Sequence, residues 1–227
     1  MVSIDLNADL GEGCGDDDGL MAFISSANIA CGGHAGDEAS MRAALKLAKS
    51  FGVSAGAHPA YPDREGFGRR SLDIDKGILG MSLVEQISSL QKLAGEIGLA
   101  LQHVKPHGAL YNDAADEEPL AREVVSAIQA AAPGAAVVGL PDSALQVVSA
   151  ERGVPFIAEG FADRGYTAAG RLVSRRQPDA VIEREDQRVA QALAFAKGRP
   201  IQAVTGEVLL IKVQTICLHG DSLGALA

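Results

Sequence analysis

The chain has 227 residues, 47% of them apolar, enough to bury a full core, and a length that α/β barrels commonly fill as one domain, here residues 1–227. Its 29 acidic and 20 basic residues leave a net charge of −9, which repels phosphodiester backbones and anionic lipid and so argues against nucleic acid and membrane partners. No apolar stretch approaches the ~20 residues that cross a bilayer. No basic segment followed by an apolar run opens the chain, and three cysteines make no disulfide framework, so a cytoplasmic protein is expected.

The first β-rich run, residues 2–6, leads into Ile4-Asp5-Leu6-Asn7-Ala8-Asp9-Leu10. Asp5, Asn7 and Asp9 alternate with apolar residues, so an extended chain carries all three on one side. An edge strand gives the same alternation, but a polar series entering a glycine-rich turn suits the open end of a barrel, where water or a ligand solvates it. Gly11-Glu12-Gly13-Cys14-Gly15 resembles half of a dinucleotide loop, yet Asp16, Asp17 and Asp18 stand where a pyrophosphate would lie. They fit a helix amino terminus better.

The second run covers residues 26–31, after which Asp37 caps a segment with Met41, Ala44, Leu45 and Ala48 on one face, closed by Gly52. A third run (53–57) precedes a stripe of Leu83, Ile87, Leu90, Ala94 and Ile97 that ends at Gly98. A fourth (102–105) precedes a stripe of Leu120, Val124, Ile128 and Ala131. Runs at 136–140, 155–158 and 214–218 complete the set, with a small hairpin expected at 199–213, before the last. Alternation of this kind predicts parallel strands covered by helices, and a closed (β/α) barrel of about seven strands is favoured over an open doubly wound sheet.

Four histidines, His34, His58, His107 and His219, sit where an apolar run gives way to a Gly or Pro turn. Carboxyl ends of parallel strands meet on one face, so these imidazoles are expected to converge there. His103 and His107 have the spacing of a helical metal pair, but on a strand four residues span about 13 Å, too far to share an ion. A divalent-ion site built from Asp5, Asp9, His34 and His58 stays open beside the metal-free alternative. Lys105 shares the His103–His107 face and needs an anionic partner, with Asp5 and Asp9 as candidates. Arg69, Arg70 and Arg164, the last preceded by Asp163, suit forked recognition of carboxylate or phosphate, or belong to ordinary surface loops. Cys31 and Cys217 are expected to pack, and Cys14 to be exposed.

The segments Ile4–Gly13, Ser26–Asp37, Gly56–Asp63, Gly66–Arg70, His103–Asn112, Phe161–Arg164 and Thr215–Asp221 together resemble the LamB/YcsF family over nearly the whole chain. The resemblance implies a barrel akin to the glycoside hydrolase and deacetylase fold. It implies ATP-dependent 5-oxoprolinase activity, turning 5-oxo-L-proline into L-glutamate, in the role of an A subunit working with separate B and C subunits. ATP is then consumed by the complex, because this chain has no G-x-x-x-x-G-K-[ST] loop. Within the pocket, Asp5 or Asp9 with His34 or His58 is expected to orient and deprotonate the attacking water, with Asn7 in the same catalytic set. Lys105 and Arg69 would hold substrate carboxylate or developing phosphate charge, and His107 and His219 would donate protons or contact substrate. Glu12, Asp163, Arg164 and Asp221 complete the expected substrate-binding set. Two rival readings are a metal-dependent deacetylase or amidohydrolase acting on a small amide, and a non-catalytic subunit that binds 5-oxoproline. Either is compatible with a homo-oligomer. Gly33 departs from the family's usual Phe, and the chain stops six residues after Asp221 where the family continues into a helix, so one side of the barrel is expected to be thinly covered or the chain shortened.

Overall fold

The computed structural model describes residues 3–14 and 16–218; the sequence expectations for His219, Asp221 and the terminal segment lie outside it. In chain order it contains β1 (Asp5–Leu10), α1 (Asp17–Met21), β2 (Ser26–Ala30), α2 (Glu38–Phe51), β3 (Ser54–His58), α3 (Lys76–Ile97) and β4 (His103–Val104). There follow α4 (Gly108–Asp116), α5 (Glu118–Ala131), β5 (Ala136–Gly139), α6 (Ala144–Glu151), β6 (Phe156–Phe161), α7 (Glu185–Ala196), β7 (Ile201–Gln202), β8 (Val208–Leu209) and β9 (Thr215–Cys217). Among the described residues, seven parallel strands close into a barrel in the order β1-β2-β3-β4-β5-β6-β9, and β7 and β8 form a separate antiparallel pair. Both the barrel and the small hairpin match the sequence expectation.

Local chemistry accounts for the helix limits. The Asp37 carboxylate accepts from Ser40 N at 2.8 Å while the Ser40 hydroxyl accepts from Asp37 N at 2.8 Å, a reciprocal cap, and Gly52 ends α2 in the left-handed region. Asp16 caps α1, as the triple-aspartate reading expects. The outward faces of the strands, with Ala8, Leu10, Ile29, Ala57, Val104 and Val137, pack under Leu45, Leu83, Ile87, Leu90, Val124 and Ile128. Each fully buried Leu or Ile contributes about 1.5–3 kcal/mol, so this shell fixes the barrel. A second apolar cluster, including Phe161, Tyr166, Phe195, Ile201 and Ile216, fastens α7 and the hairpin to the last strands.

Two strands depart from expectation. β1 begins at Asp5 and runs through Leu10, where the sequence pattern predicts 2–6, and β6 continues through Phe161, beyond the predicted 158. In both places the added residues include inward polar ones. A pattern that looks for apolar content misses a strand whose inner face is polar because other barrel residues satisfy it.

Candidate active site

The barrel interior is a column of polar side chains rather than the branched aliphatic filling usual for closed parallel barrels. At its amino-end level, Asp5 Oδ1 accepts from the hydroxyls of Ser25 (2.6 Å) and Ser26 (2.7 Å), and Oδ2 accepts from Thr215. One level up, Asn7 Nδ2 donates to Glu159 Oε1 (3.0 Å) and Thr215 Oγ1 (2.7 Å), and Asn28 Nδ2 donates to Asn7 Oδ1 (2.8 Å) and Asp9 Oδ1 (2.9 Å). His103 Nε2 lies 2.8 Å from Asn28 Oδ1, and burial pulls the His103 pKa down to about 4. Its ring lies so close to β3 that a Cβ on Gly56 would come within 2.2 Å of Nε2. Only glycine fits there.

Lys105 occupies the next level, 2% exposed, with Nζ 3.0 Å from Asp9 Oδ1, 2.9 Å from Glu159 Oε1 and 3.1 Å from Cys217 Sγ. Burial opposes its charge, but the negative groups around it, Asp9 foremost, outweigh that cost and hold its pKa well above the ordinary lysine range. Tyr111 lies on the other side of Glu159; burial, then the carboxylate's charge, push the phenol pKa well up.

Above this, at the carboxyl ends of β1, β2 and β3 and just beyond β4, stands the imidazole cluster. Glu12 Oε1 is 2.8 Å from His34 Nε2 and 3.4 Å from His107 Nδ1, and His58 Nε2 is 3.0 Å from His107 Nδ1 and 3.3 Å from Asp9 Oδ2. The His34 and His107 rings stack with centroids 3.6 Å apart and an interplanar angle of 3°. Phe67, in the left-handed region with φ of 53°, caps both rings edge-on and turns its carbonyl to His107 Nε2 at 3.0 Å. Burial lowers the pKa of His34 and, joined by the neighbouring imidazoles, drops that of His107 well below the usual histidine value. Donor atoms of Glu12, His34, His58 and His107 all lie within 4.8 Å of one another, close enough to hold one metal ion.

Asp9, Glu12, His58, His107 and Lys105 line a cleft of about 950 Å³ that is also lined by Arg69, Arg70, Arg164, Arg171, Arg175 and Arg176 towards its mouth. Arg70 is paired with Asp63, and Arg171 with Asp116 at 2.7 Å. Arg64 donates to the carbonyls of Gly32 (3.0 Å) and Gly36 (2.9 Å), fastening the loop that carries His34.

The sequence-predicted residues fall into three groups. Asp9, Glu12, His34, His58, Lys105 and His107 meet at one place, and Arg69 lines the same cleft. Asp5 does not join them: it starts β1, about 13 Å of strand below Asp9, and its oxygens are engaged by hydroxyls, so neither the water-activating role nor the metal set that included it fits the geometry. Its place among possible metal donors passes to Glu12 and His107. Asn7 supports the column from within rather than facing the cleft. Asp163 is buried and does not line the cleft, while Arg164 lines it with Nε and Nη2 already given to the carbonyls of Ala180 (2.9 Å) and Val173 (2.7 Å). Substrate contact by that pair is not what the geometry favours. Glu159, Asn28, Tyr111 and Phe67 were missed. The one available signal was a glutamate, Glu159, between Ala158 and Gly160 in an otherwise apolar strand.

Comparison with known proteins agrees over the whole length. The model of the LamB/YcsF family matches residues 4–227. A protein from Chloroflexus aggregans (strain MD-66 / DSM 9485), named as the A subunit of 5-oxoprolinase, is 46% identical over 232 residues, covering 100% of this chain and 92% of that one. The crystal structure of the lactam utilization protein from Thermus thermophilus superposes with a TM-score of 0.91 at 34% identity, covering 99% of this chain and 92% of that one. With its motifs, barrel and family match in accord from end to end, this chain belongs to the LamB/YcsF family.

Proposed function

We propose that this chain is the A subunit of an ATP-dependent 5-oxoprolinase, which binds 5-oxo-L-proline in the cleft at the carboxyl ends of the strands and assists its opening to L-glutamate. The observation that carries the reading is the end-to-end match to a relative named as a 5-oxoprolinase A subunit. The site chemistry is consistent with it. A five-membered lactam is a poor electrophile, and phosphorylation of its amide oxygen makes the ring carbon attackable. The chain has no Walker-type phosphate loop, so partner subunits of the B and C kind share the handling of ATP. ATP as co-substrate puts the working complex in the cytoplasm.

In this reading Asp9, with Oδ2 3.3 Å from His58 Nε2, takes the proton of the attacking water. His58 and His107, the latter with its ring held by Phe67 and His34, line the water's position. The Lys105 ammonium, with Arg69, Arg175 and Arg176 at the mouth, holds substrate carboxylate and phosphoryl charge. At about 950 Å³ the cleft is far roomier than one small lactam needs, leaving space for the phosphorylated form. The test is glutamate release from 5-oxoproline, with this chain alone and then with candidate partner subunits, each with and without ATP. Release that needs both ATP and partners supports the proposal. ATP-independent release by this chain alone supports the second reading, a metal-dependent amidohydrolase, which the Glu12, His34, His58 and His107 group favours.

A further inference from the structure

Two facts about His58 and His107 are hard to reconcile in a site holding only protein atoms. His58 Nδ1 lies 2.7 Å from the Lys105 carbonyl and His107 Nε2 lies 3.0 Å from the Phe67 carbonyl. A carbonyl only accepts, so each of these nitrogens carries a proton, and a neutral imidazole has just one. The opposite nitrogens, His58 Nε2 and His107 Nδ1, are then both bare lone pairs, yet they face each other at 3.0 Å. Carboxylate oxygens stand beside them: Asp9 Oδ2 is 3.3 Å from His58 Nε2, and Glu12 Oε1 is 3.4 Å from His107 Nδ1 and 4.0 Å from His58 Nε2. Two lone pairs and two anions converge on one buried point. A positive charge belongs there.

We infer that His58 Nε2, His107 Nδ1 and Glu12 Oε1 bind a divalent transition-metal ion of the zinc class. The three atoms form a triangle with sides of 3.0, 3.4 and 4.0 Å. The point equidistant from them lies about 2.1 Å from each, which is the length of zinc bonds to imidazole nitrogen and carboxylate oxygen. Both imidazoles already make the outward hydrogen bond to a carbonyl that fixes the tautomer of a metal-binding histidine. His34 plays a different part. Its ring is parallel to that of His107 at 3.6 Å, so an ion in the His107 plane lies out of the His34 plane, and its Nε2 instead steadies Glu12 at 2.8 Å. Asp9 Oδ2 stands ready as a fourth donor or as the acceptor of a proton from a bound water. Two imidazoles and one carboxylate with a position left open is the donor set of a hydrolytic metal site.

Binding of the ion rests on side-chain geometry alone; its use in opening a lactam rests on the function proposed above. The experiment therefore measures the metal without substrate, ATP or partners. Full-length protein is purified without chelator and its Zn²⁺ counted by elemental analysis, and chelator-stripped protein is titrated with Co²⁺ while visible ligand-field absorption is followed. One equivalent of Zn²⁺ per chain and a saturable Co²⁺ band, displaced by Zn²⁺, are expected. His58→Ala, His107→Ala and Glu12→Gln should each weaken Zn²⁺ binding by about 100-fold or more, His34→Ala by about 10-fold, and Asp5→Asn not at all. If stripped protein takes up neither ion while nitrogen NMR shows a doubly protonated imidazole at His58 or His107, the positive charge is a proton and the inference is overturned. Metal uptake in the wild type that survives both His58→Ala and His107→Ala also overturns it. A metal-free result leaves ATP-dependent glutamate release standing, and a bound metal without such release leaves this site standing, so the two proposals fail separately.

Discussion

Lys105 Nζ and Glu159 Oε1 meet at 2.9 Å in the middle of the barrel, with side chains 2% and 0% exposed. A buried pair of this kind adds little over an apolar pair of the same shape, but removing one member strands the other's charge in a dry interior. Lys105→Met leaves both Glu159 and Asp9 without their ammonium and is expected to cost about 3–5 kcal/mol, read as a lower urea midpoint. The double variant Lys105→Met/Glu159→Gln should recover part of that loss while staying inactive. A Lys105→Met protein as stable as the wild type would show that the column is not held by this charge pair.

Asp5 and Asp9 separate stability from chemistry on one strand. Asp5 accepts three hydroxyl hydrogen bonds at the amino end of the barrel, so Asp5→Asn should cost about 1–3 kcal/mol while leaving turnover of the reconstituted complex within a few-fold of normal. Asp9 faces His58 and Lys105, and Asp9→Asn should lower kcat by about 10²–10⁴-fold. Equal loss of turnover in the two variants would mean that the lower carboxylate also communicates with the reacting groups.

This contrast shows how far the sequence could be read. Periodicity located the strands, the hairpin and the stripes of α2, α3 and α5, because apolar spacing and glycine stops report directly on burial. The shorter helices α4, α6 and α7 escaped it. His107 opens α4 without a side-chain cap and Arg184 opens α7 the same way, so no Ser, Asp or Asn announces either start. The histidines at strand ends converged as the repeating topology requires. Depth along the barrel was invisible, however: alternation puts Asp5, Asn7 and Asp9 on one side, but only strand register says which level each reaches. Register pairs Asp5 with Thr215 and Asp9 with Asn28, which puts one carboxylate at the amino end of the barrel and the other beside Lys105 and His58. Glu159 was hidden for a related reason, since its partners come from elements 152 and 54 positions away in sequence.

The pH dependence of stability carries a signature of His103. Burial holds its folded pKa at about 4, below the value of about 6.5 in an unfolded chain. The unfolded state therefore binds the extra proton first. Stability contributed by the neutral ring is complete above pH 6.5 and is lost as pH falls towards 4, by about 2–3 kcal/mol at pH 4.5. Comparing urea midpoints at pH 7 and pH 4.5, the wild type should fall further than His103→Gln, whose amide can still reach Asn28. Parallel losses in the two proteins would assign the acid sensitivity to other groups.

Gly68 and Gly52 offer a matched test of whether the loop after β3 positions the imidazoles. Both adopt the left-handed region, with φ of 62° and 70°, where an alanine costs about 1–2 kcal/mol. Around Gly52 a Cβ meets nothing within 4 Å, so Gly52→Ala pays only that backbone strain at the end of α2 and should keep full activity. At Gly68 the same Cβ would lie 2.9 Å from His34 Cβ and 3.0 Å from His107 Cδ2, between the two stacked rings' attachments. One neighbour is the Cβ of His34, fixed to its backbone, and the other is a ring atom of His107, held by the stack on His34 and the hydrogen bond to the Phe67 carbonyl. Moving them lengthens the His34–Glu12 and His107–His58 contacts of 2.8 and 3.0 Å on which the site depends. Gly68→Ala should therefore match or exceed Gly52→Ala in lost stability and, unlike it, lower kcat by about 10²-fold, the cost of roughly an ångström of misplacement. Unchanged turnover in Gly68→Ala, with the fold intact by circular dichroism, would mean that His34 and His107 are not held by this loop.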